Sequence, residues 1–235
     1  MNREEILIRN MDDVEKTLCS ACRESGRDRS RVRLMTVTKY AKDEDVLFLL
    51  EQGRITDVGE SRVQQACQRW TNPVFAKYKT TKHFIGHLQK NKAAKAVRLF
   101  DFIDSLDNED TARAVDAKAQ TLGKTIRGLV QVKLTERQTQ SGLGLEDARR
   151  LAKALAALKH LKICGYMAIA PQTDDAETLR PLFKQIKEAF DQDFPEGTER
   201  YLSLGMSADF KAAVEEGSTL PRLGSVIFAR NLEGL

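Results

Sequence analysis

The strongest constraint on the fold is a regular alternation between apolar, strand-like segments and amphipathic helical segments. Eight short segments are rich in apolar and β-branched residues, at positions 32–38, 55–59, 83–87, 102–106, 126–134, 163–169, 201–205 and 223–228. Helical periodicity separates most of them, at positions 43–52, 109–121, 146–158 and 176–190. Strands separated by helices do not form hairpins, so successive strands should pair in parallel through right-handed crossovers.

Eight such units predict a closed (β/α)8 barrel of the TIM type. The alternative is an open, doubly wound sheet, which normally has fewer strands and a glycine-rich loop after the first strand. Here the first strand leads to Tyr40, Ala41 and Lys42 instead. No linker rich in proline, glycine or serine interrupts the alternation, so residues 1–235 are predicted to form a single α/β domain.

The first thirty residues predict an extra helix that precedes the barrel. Its apolar side chains lie near the helical repeat, and Gly26 is a suitable stop signal. The apolar residues are Ile6, Ile8, Met11, Val14 and Leu18.

The longest irregular connection, residues 135–144, follows the fifth strand. It lies on the face that carries the active site in barrel enzymes, and Gly142 and Gly144 are candidate hinges. Two interpretations stay open, a mobile lid and an ordinary flexible loop.

The composition limits the compartment and the class of protein. Hydrophobic residues make up 41% and charged residues 31%, as in a soluble, folded protein. No apolar run approaches the roughly 18 residues that span a bilayer, and residues 1–10 lack the apolar centre of a signal peptide. The four cysteines are scattered, which favours free thiols in a reducing compartment. We therefore predict a cytoplasmic protein without a membrane partner.

The charge balance argues only weakly for nucleic acid as a partner, since 38 Lys and Arg residues stand against 34 Asp and Glu residues. The densest basic stretch contains Lys90, Lys92, Lys95 and Arg98. Its spacing favours a solvated helix face, and a phosphate-binding patch is the alternative interpretation.

The functional groups of a β/α barrel lie at the carboxyl ends of its strands. Lys39 is such a group, because it ends the apolar run 34–38. Partial desolvation at a barrel mouth would favour a free amine that forms an imine with a carbonyl compound. Taken alone this signal is weak, since most lysines are surface charges.

Small residues and hydroxyls occur after the seventh strand and at the start of the eighth, where barrels commonly bind phosphate. The residues concerned are Ser203, Gly205, Met206 and Ser207, followed by Arg222, Gly224 and Ser225. Ser207 is placed to cap a helix that begins near Ala208. Its hydroxyl and the free N–H groups there would either hold a dianion or serve only as a helix cap.

Two other groups of residues are weaker candidates. His83 and His87 are four residues apart, but their segment is predicted to be a strand and no third ligand is evident, so no metal site is predicted. Glu60 and Asp209 are interpreted as network and cap residues instead of general acids.

Five motifs, in this order, resemble the YggS/PROSC family of proteins that bind pyridoxal 5′-phosphate (PLP), also called PLP homeostasis proteins. They lie at residues 37–39 (VTK), 59–64 (GESRVQ), 83–92 (HFIGHLQKNK), 205–210 (GMSADF) and 222–225 (RLGS). The resemblance spans nearly the whole chain.

This resemblance implies a barrel similar to the N-terminal domain of alanine racemase, with PLP bound as a Schiff base to Lys39. It also implies that Ser207, Gly224 and Ser225 hold the phosphate, and that Arg222 faces the pyridine nitrogen. The predicted cofactor-binding set is completed by Ser61, Ser203 and Met206.

An arginine beside the pyridine nitrogen has a chemical consequence. A fixed cation disfavours a second positive charge, so the nitrogen stays unprotonated. The ring is then a poor electron sink, and carbanion chemistry is handicapped.

The chain departs from the family pattern at three positions. Ser61 stands where the family usually has asparagine after Gly-Glu, and Ser225 stands where threonine is frequent. Gln140 replaces the lysine of a common Lys-Ser-Gly, which puts in doubt any role for a positive charge in that loop.

The leading interpretation is a non-catalytic carrier or regulator that buffers free PLP, hands it to PLP-dependent apo-enzymes, and so influences amino-acid and keto-acid balance. The alternative is an amino-acid racemase of the alanine racemase type, because the barrel and Lys39 would serve both. Such racemases need a second acid/base from a separate β-domain, and only seven residues follow the predicted eighth strand. We expect a monomer or a weak dimer.

Overall fold

The computed structural model describes residues 1–134 and 141–229. The strands are β1 (Met35–Val37), β2 (Asp57–Glu60), β3 (Thr81–Phe84), β4 (Phe102–Leu106), β5 (Ile126–Lys133), β6 (Leu161–Ile169), β7 (Tyr201–Ser203) and β8 (Arg222–Leu223). The α-helices are α1 (Arg3–Glu24), α2 (Asp43–Glu51), α3 (Val63–Trp70), α4 (Pro73–Ala76), α5 (Ala93–Leu99), α6 (Glu109–Thr121), α7 (Leu145–Leu155), α8 (Arg180–Asp193), α9 (Phe210–Glu215) and α10 (Ser225–Phe228). Short 3-10 helices lie at Arg29–Arg31, Lys90–Lys92 and Ala176–Leu179.

The eight strands form one parallel sheet in the order β7-β6-β5-β4-β3-β2-β1-β8. β1 pairs with both β2 and β8, so the first and last strands are neighbours. Backbone hydrogen bonds join the two ends of this order. The Leu220 N–H donates to the Leu202 carbonyl over 3.1 Å, and the Arg222 N–H donates to the Gly205 carbonyl over 3.0 Å. The predicted (β/α)8 barrel is confirmed, and the open-sheet alternative is wrong.

Helix α1 covers the seam between the first and last strands. The helix that follows β8, α10, has only four residues and covers little of the sheet. α1 packs against α2, α9 and α10. Its buried Asn10 donates to the Ile227 carbonyl over 2.9 Å, and its Arg3 donates to Asp45 and to the Phe228 carbonyl. The predicted extra helix is therefore part of the outer layer of the barrel.

The last strand is shorter than the sequence predicted. Of the predicted strand 223–228, only Leu223 is extended, and α10 begins at Ser225. The N–H groups of Ile227 and Phe228 both donate to the Gly224 carbonyl over 3.0 Å, which makes a helical turn. A segment of six residues is too short for periodicity to separate a strand from a helix.

Two other boundaries also differ from the prediction. The predicted third strand, residues 83–87, lies at Thr81–Phe84, so His87 belongs to the connection that follows it. The predicted helix 176–190 is a 3-10 turn, Ala176–Leu179, that continues into α8 and ends at Asp193.

Apolar side chains fill the inside of the barrel below its mouth. The inner cluster consists of buried side chains from β1, β4, β5 and β6 and from the residues just before β8: Met35, Phe102, Leu129, Cys164, Met167 and Leu220. A second, larger cluster packs the outer face of the sheet against the helices. The barrel is therefore a packed core, and the chemistry of the fold is confined to its ends.

Ionisable side chains also lie inside the barrel. His83 is fully buried, and its ring stacks on Phe102 with 4.2 Å between the ring centroids. Its Nδ1 lies 3.0 Å from Asp104 Oδ2, and its Nε2 lies 3.3 Å from Asp57 Oδ1. Arg33 also donates to Asp57. His83 is therefore held between two carboxylates.

These carboxylates favour the charged form of the imidazole. Burial disfavours a charged His83, but the charge of Asp104 and the hydrogen bonds that the imidazole donates to both carboxylates outweigh burial and raise the pKa of His83 to about 9. Burial likewise opposes the ionised form of Asp57, yet His83 and Arg33 lower the pKa of that carboxyl. The pair is thus ionised at neutral pH.

We expect the free energy of unfolding to fall as the pH rises from about 6.5 to 9. The pKa of His83 is about 9 in the folded protein and about 6.5 in an unfolded chain. Its stabilising contribution is therefore complete below pH 6.5 and is lost as the pH passes the folded value. Denaturant unfolding at pH 6, 7.5 and 9 measures this slope. Between pH 6 and 7.5, below the range in which buried thiols contribute, the slope should be much smaller in His83→Gln and should persist in His87→Gln, a matched change at an exposed histidine. Equal slopes in both variants would contradict the prediction.

Candidate functional site

The carboxyl ends of β7, β8 and β1 bring together residues from both ends of the chain. Lys39 follows β1, Ser207 follows β7, and Gly224 follows β8. The pairing of Met35 with Arg222 fixes the register between β1 and β8. The structure therefore gathers the predicted lysine, arginine and serine residues at one part of the barrel mouth.

Lys39 lies in the turn that follows β1 and is half-buried. Its Nζ lies 5.1 Å from the ring centroid of Tyr40, and Tyr40 is 80% exposed. The lysine is thus at the mouth, beside an aromatic ring that is open to solvent.

Arg69 holds the turn that carries Lys39. Its Nη1 donates to the Thr38 carbonyl and its Nη2 donates to the Ala41 carbonyl, each over 2.8 Å. These two carbonyls flank Lys39 and Tyr40. Because a guanidinium is planar, the two bonds fix the carbonyls relative to each other.

The Arg69 contact depends on a buried carboxylate, Glu60, which is 2% exposed. One Glu60 oxygen accepts hydrogen bonds from the Thr38 hydroxyl over 2.7 Å, from Arg69 over 2.9 Å and from the Trp70 ring N–H over 3.2 Å. A buried charge is stable only when it is paired and hydrogen-bonded, and this one is. Glu60 is therefore a network residue, as the sequence predicted. Sequence reasoning missed Arg69, because its helical position carries no signal of a contact with a distant turn.

Arg222 is the buried cation of the site, with 5% of its surface exposed. It donates to the carbonyl and hydroxyl oxygens of Ser203 over 2.7 and 2.9 Å, and to the Ala168 carbonyl over 2.8 Å. Within the described residues these bonds use three of its five N–H groups, so two remain for a ligand. Burial lowers the pKa of Arg222 to about 10, and the charges of Asp104 and Asp209 oppose this shift. The guanidinium is therefore charged at neutral pH.

Ser203 and Met206 differ in their access to a ligand. Ser203 is fully buried, and its hydroxyl accepts from Arg222 and donates to the Leu220 carbonyl over 2.9 Å. Its visible role is to orient Arg222. Met206 is 38% exposed, at the rim.

The helix cap predicted at Ser207 is wrong. α9 begins at Phe210, after Asp209 at the capping position, and the Asp209 carboxylate accepts the Met206 N–H over 2.5 Å. This bond closes a turn over residues 206–209, so α9 begins after this turn and not at Ala208. The Ser207 hydroxyl instead accepts the Val226 N–H over 3.3 Å, so it faces the start of α10.

Gly224 lets the β8 end lie close to β1. A Cβ at this position would lie 3.0 Å from the Val37 carbonyl oxygen and 3.2 Å from the Val37 Cβ. Ser225, the first residue of α10, is exposed, and the first N–H groups of a helix have no partner within it. Ser207, Gly224 and Ser225 thus form a small polar surface at the mouth.

Ser61 follows β2, the strand that pairs with β1, and is half-buried. Its backbone contacts Gly86, because a Cβ on Gly86 would lie only 2.1 Å from the Ser61 carbonyl oxygen. Only glycine allows this approach. Gln140 and most of the predicted lid, residues 135–140, lie outside the described residues.

Comparisons with known proteins identify relatives of the whole chain. The family described as the alanine racemase N-terminal domain matches residues 22–231. The pyridoxal phosphate homeostasis protein of Synechocystis sp. is 37% identical over 205 residues, covering 86% of this chain and 92% of that protein. The protein of the same name from Pasteurella multocida is 30% identical over 222 residues, covering 93% and 95%.

Solved structures of similar proteins agree with these family relationships. PipY of Synechococcus elongatus, solved with PLP bound, is 32% identical and superposes with a TM-score of 0.77, covering 92% of this chain and 99% of PipY. An alanine racemase of Clostridium difficile superposes with a TM-score of 0.70 at 13% identity, covering 100% of this chain and 58% of the racemase. The second likeness concerns the fold alone.

We expect Arg69→Met to loosen the turn that carries Lys39. The substitution removes donors from two carbonyls and leaves the Glu60 charge with neutral partners only, so unfolding should become easier by roughly 2–4 kcal/mol. Hydrogen exchange should accelerate in residues 38–42 more than in β4. Arg98→Met, on the exposed face of α5, is the control and should change neither measurement. Unchanged exchange in residues 38–42 would show that Arg69 does not order this turn.

Proposed function

Because the chain belongs to the pyridoxal phosphate homeostasis protein family, we propose that it binds PLP covalently through Lys39 and takes part in PLP homeostasis. The observation that carries this proposal is the meeting of Lys39, Arg222 and Ser207 at one part of the barrel mouth. A relative of similar length, PipY, has been solved with PLP bound.

The groups at the mouth fit the chemistry of PLP. The cofactor carries an aldehyde, a pyridine nitrogen and a phosphate dianion. Lys39 would supply an amine for the aldehyde. Arg222 has two N–H groups that are free among the described residues and would face the pyridine nitrogen. The phosphate would lie on the Ser207 and Ser225 hydroxyls and on the N–H groups at the start of α10, which favour an anion. Gly224 leaves this surface open, since it has no side chain.

The remaining predicted residues take supporting places in this proposal. Ser203 orients Arg222 from below, and Met206 borders the mouth. Ser61 would approach the cofactor from the β2 side.

Arg222 favours a carrier over a catalyst. When bound, PLP supplies a reactive aldehyde and, if its ring nitrogen is protonated, an electron sink. The buried and charged Arg222 would keep that nitrogen unprotonated, because two adjacent positive charges repel each other. Asp104 is buried and lies close enough to support the charge of Arg222. The site is therefore suited to hold and release the cofactor more than to stabilise a carbanion.

The relatives support the same choice. Proteins at 30–37% identity over most of their length carry the name homeostasis protein, whereas the alanine racemase is 13% identical and shares only the fold. A racemase remains the alternative function, since Lys39 would serve both. In the carrier reading, PLP-dependent apo-enzymes would accept the cofactor through the open mouth beside Tyr40.

The location and the assembly of the protein stay predictions. Among the helices of residues 1–134 and 141–229, none combines the length and apolarity needed to cross a membrane. We propose a cytoplasmic protein, monomeric or weakly dimeric.

We expect the purified chain, mixed with PLP, to be yellow and to lose this colour in Lys39→Ala. Borohydride should fix the cofactor, and peptide mass spectrometry should locate it on Lys39. Lys42→Ala, three residues away in the same connection, is the control and should retain the visible band. Fixed cofactor on another lysine would overturn the assignment.

We expect the PLP-loaded protein to turn over amino acids far more slowly than the ~10 s⁻¹ that is typical of enzymes. Arg222 weakens the electron sink, and Lys39 alone would move a proton on one face only, whereas each general acid–base group typically contributes about 10²–10⁴-fold. Incubation with L-alanine in deuterated water measures α-proton exchange and the enantiomer ratio. Exchange without D-alanine agrees with the carrier. D-alanine formed at an enzyme-like rate, and lost in Lys39→Ala, would establish the racemase.

A further inference from the structure

The basic stretch that the proposed function does not use lines part of a cavity next to the barrel mouth. This cavity has a volume of about 480 Å³ and lies between the connection after β2 and the connection after β3. We call it the side cavity. Its polar lining includes Arg62, Gln65, Gln68, Gln89, Lys92 and Lys95.

The side cavity is positively charged. Arg62, Lys92 and Lys95 line it, and none of its lining residues is an aspartate or a glutamate. Within residues 1–134 and 141–229, no carboxylate forms an ion pair with any of these three side chains. Lys90, in contrast, lies outside the cavity and 3.5 Å from Asp110. Three uncompensated cations around one small volume create a local potential that attracts anions.

The other lining groups suit the organic part of a small molecule. Glutamine side chains, among them Gln65 and Gln68, offer amide donors and acceptors from α3. Val63, Phe84 and Leu88 form an apolar floor. Ligand sites commonly combine an apolar lining with a few polar groups in a volume of roughly 300–1,000 Å³.

The two walls of the side cavity are fixed relative to each other. The Ile85 N–H donates to the Glu60 carbonyl over 2.9 Å, which joins the end of β2 to the end of β3. Gly86 touches the Ser61 backbone, and the Ser105 hydroxyl donates to the Gly86 carbonyl over 2.5 Å. The backbone of the two walls is therefore preformed, whereas the exposed side chains of Arg62, Lys92 and Lys95 would become ordered when a ligand binds.

We propose that the side cavity binds a phosphate monoester of a small, ring-bearing molecule, at a site separate from Lys39. A phosphate dianion matches several cations better than a single carboxylate does, and the fork of Arg62 can bind two of its oxygens. The apolar floor would contact the ring. The side cavity adjoins the proposed cofactor site, because Ser61 of the predicted cofactor-binding set also lines it. Lys39 does not line it, and none of its three cations belongs to that set, so the proposal does not rest on the proposed PLP function.

Calorimetric titration of the full chain tests this proposal. The protein is first loaded with PLP and reduced with borohydride, so that the Lys39 site is filled; if no PLP is retained, the unloaded chain is used. The probes are adenosine 5′-monophosphate, pyridoxine 5′-phosphate, inorganic phosphate and adenosine. The two monoesters distinguish a nucleotide from a vitamin as the source of the phosphate.

Two double variants with the same change of charge isolate the cavity. Lys92→Gln with Lys95→Gln should weaken monoester binding by about 10-fold or more, because two charge-assisted hydrogen bonds are lost. Lys90→Gln with Arg98→Gln, on the same segment, should leave binding within about twofold, since only screened long-range charge changes. Arg62→Gln, on the opposite wall, provides a second variant if the first unfolds, and should also weaken binding.

Each outcome decides the proposal. Monoester binding that falls only in the cavity variants supports it. Absence of binding for both monoesters at about 5 mM would overturn the proposal, since ligands this weak lie beyond the ~mM range of specific small-molecule sites. Equal losses of affinity in both double variants would also overturn it. So would adenosine binding as tightly as adenosine 5′-monophosphate. Inorganic phosphate binding as tightly as the monoesters would overturn the role of the ring.

Discussion

The site at the barrel mouth depends on one buried charge, the Glu60 carboxylate. Removing a carboxylate from water is costly, and the cost is offset only when donors surround it. Its donors come from three places: Thr38 after β1, Arg69 within α3 and Trp70 at the end of α3. The charge therefore ties the first strand, the second strand and the third helix together. Arg69 extends this tie to the Thr38 and Ala41 carbonyls, which flank Lys39 and Tyr40, so the order of this turn is linked to the burial of Glu60.

Buried charges inside the barrel are also stabilised by charges of the opposite sign. His83 lies between Asp57 and Asp104, and Arg222 lies close enough to Asp104 for the two charges to interact. Asp104 Oδ1 is buried and has no hydrogen-bond partner among the described residues. Asp104 thus serves two cations, His83 directly and Arg222 through space. Burial lowers the pKa of Arg222, and the negative charges of Asp104 and Asp209 oppose this shift.

Sequence patterns predicted the architecture well and the contacts poorly. The helix 109–121 and the strand 102–106 match the structure, because their periods are long or their boundaries are marked by polar residues. The prediction of a strand over 223–228 is wrong because a segment of six residues is too short to show a period. The contact of Arg69 with Thr38 joins residues 31 positions apart, and no local rule predicts it. Sequence spacing also does not distinguish the lysines of the basic stretch from one another. It does not show that Lys92 lines a cavity while Lys90 pairs with Asp110.

The exposure of the mouth separates holding a cofactor from using it. Catalysis on a bound cofactor gains from the exclusion of water, because a dry site strengthens the electrostatic interactions that stabilise a transition state. Lys39 is only half-buried, and its neighbour Tyr40 is 80% exposed. Transfer of a cofactor to another protein needs the opposite property, an amine that an incoming nucleophile can reach from solvent. In the proposed carrier, the hydrogen-bonded turn that contains Lys39 would hold the amine in place, and the exposed surface around Tyr40 would keep a bound cofactor accessible.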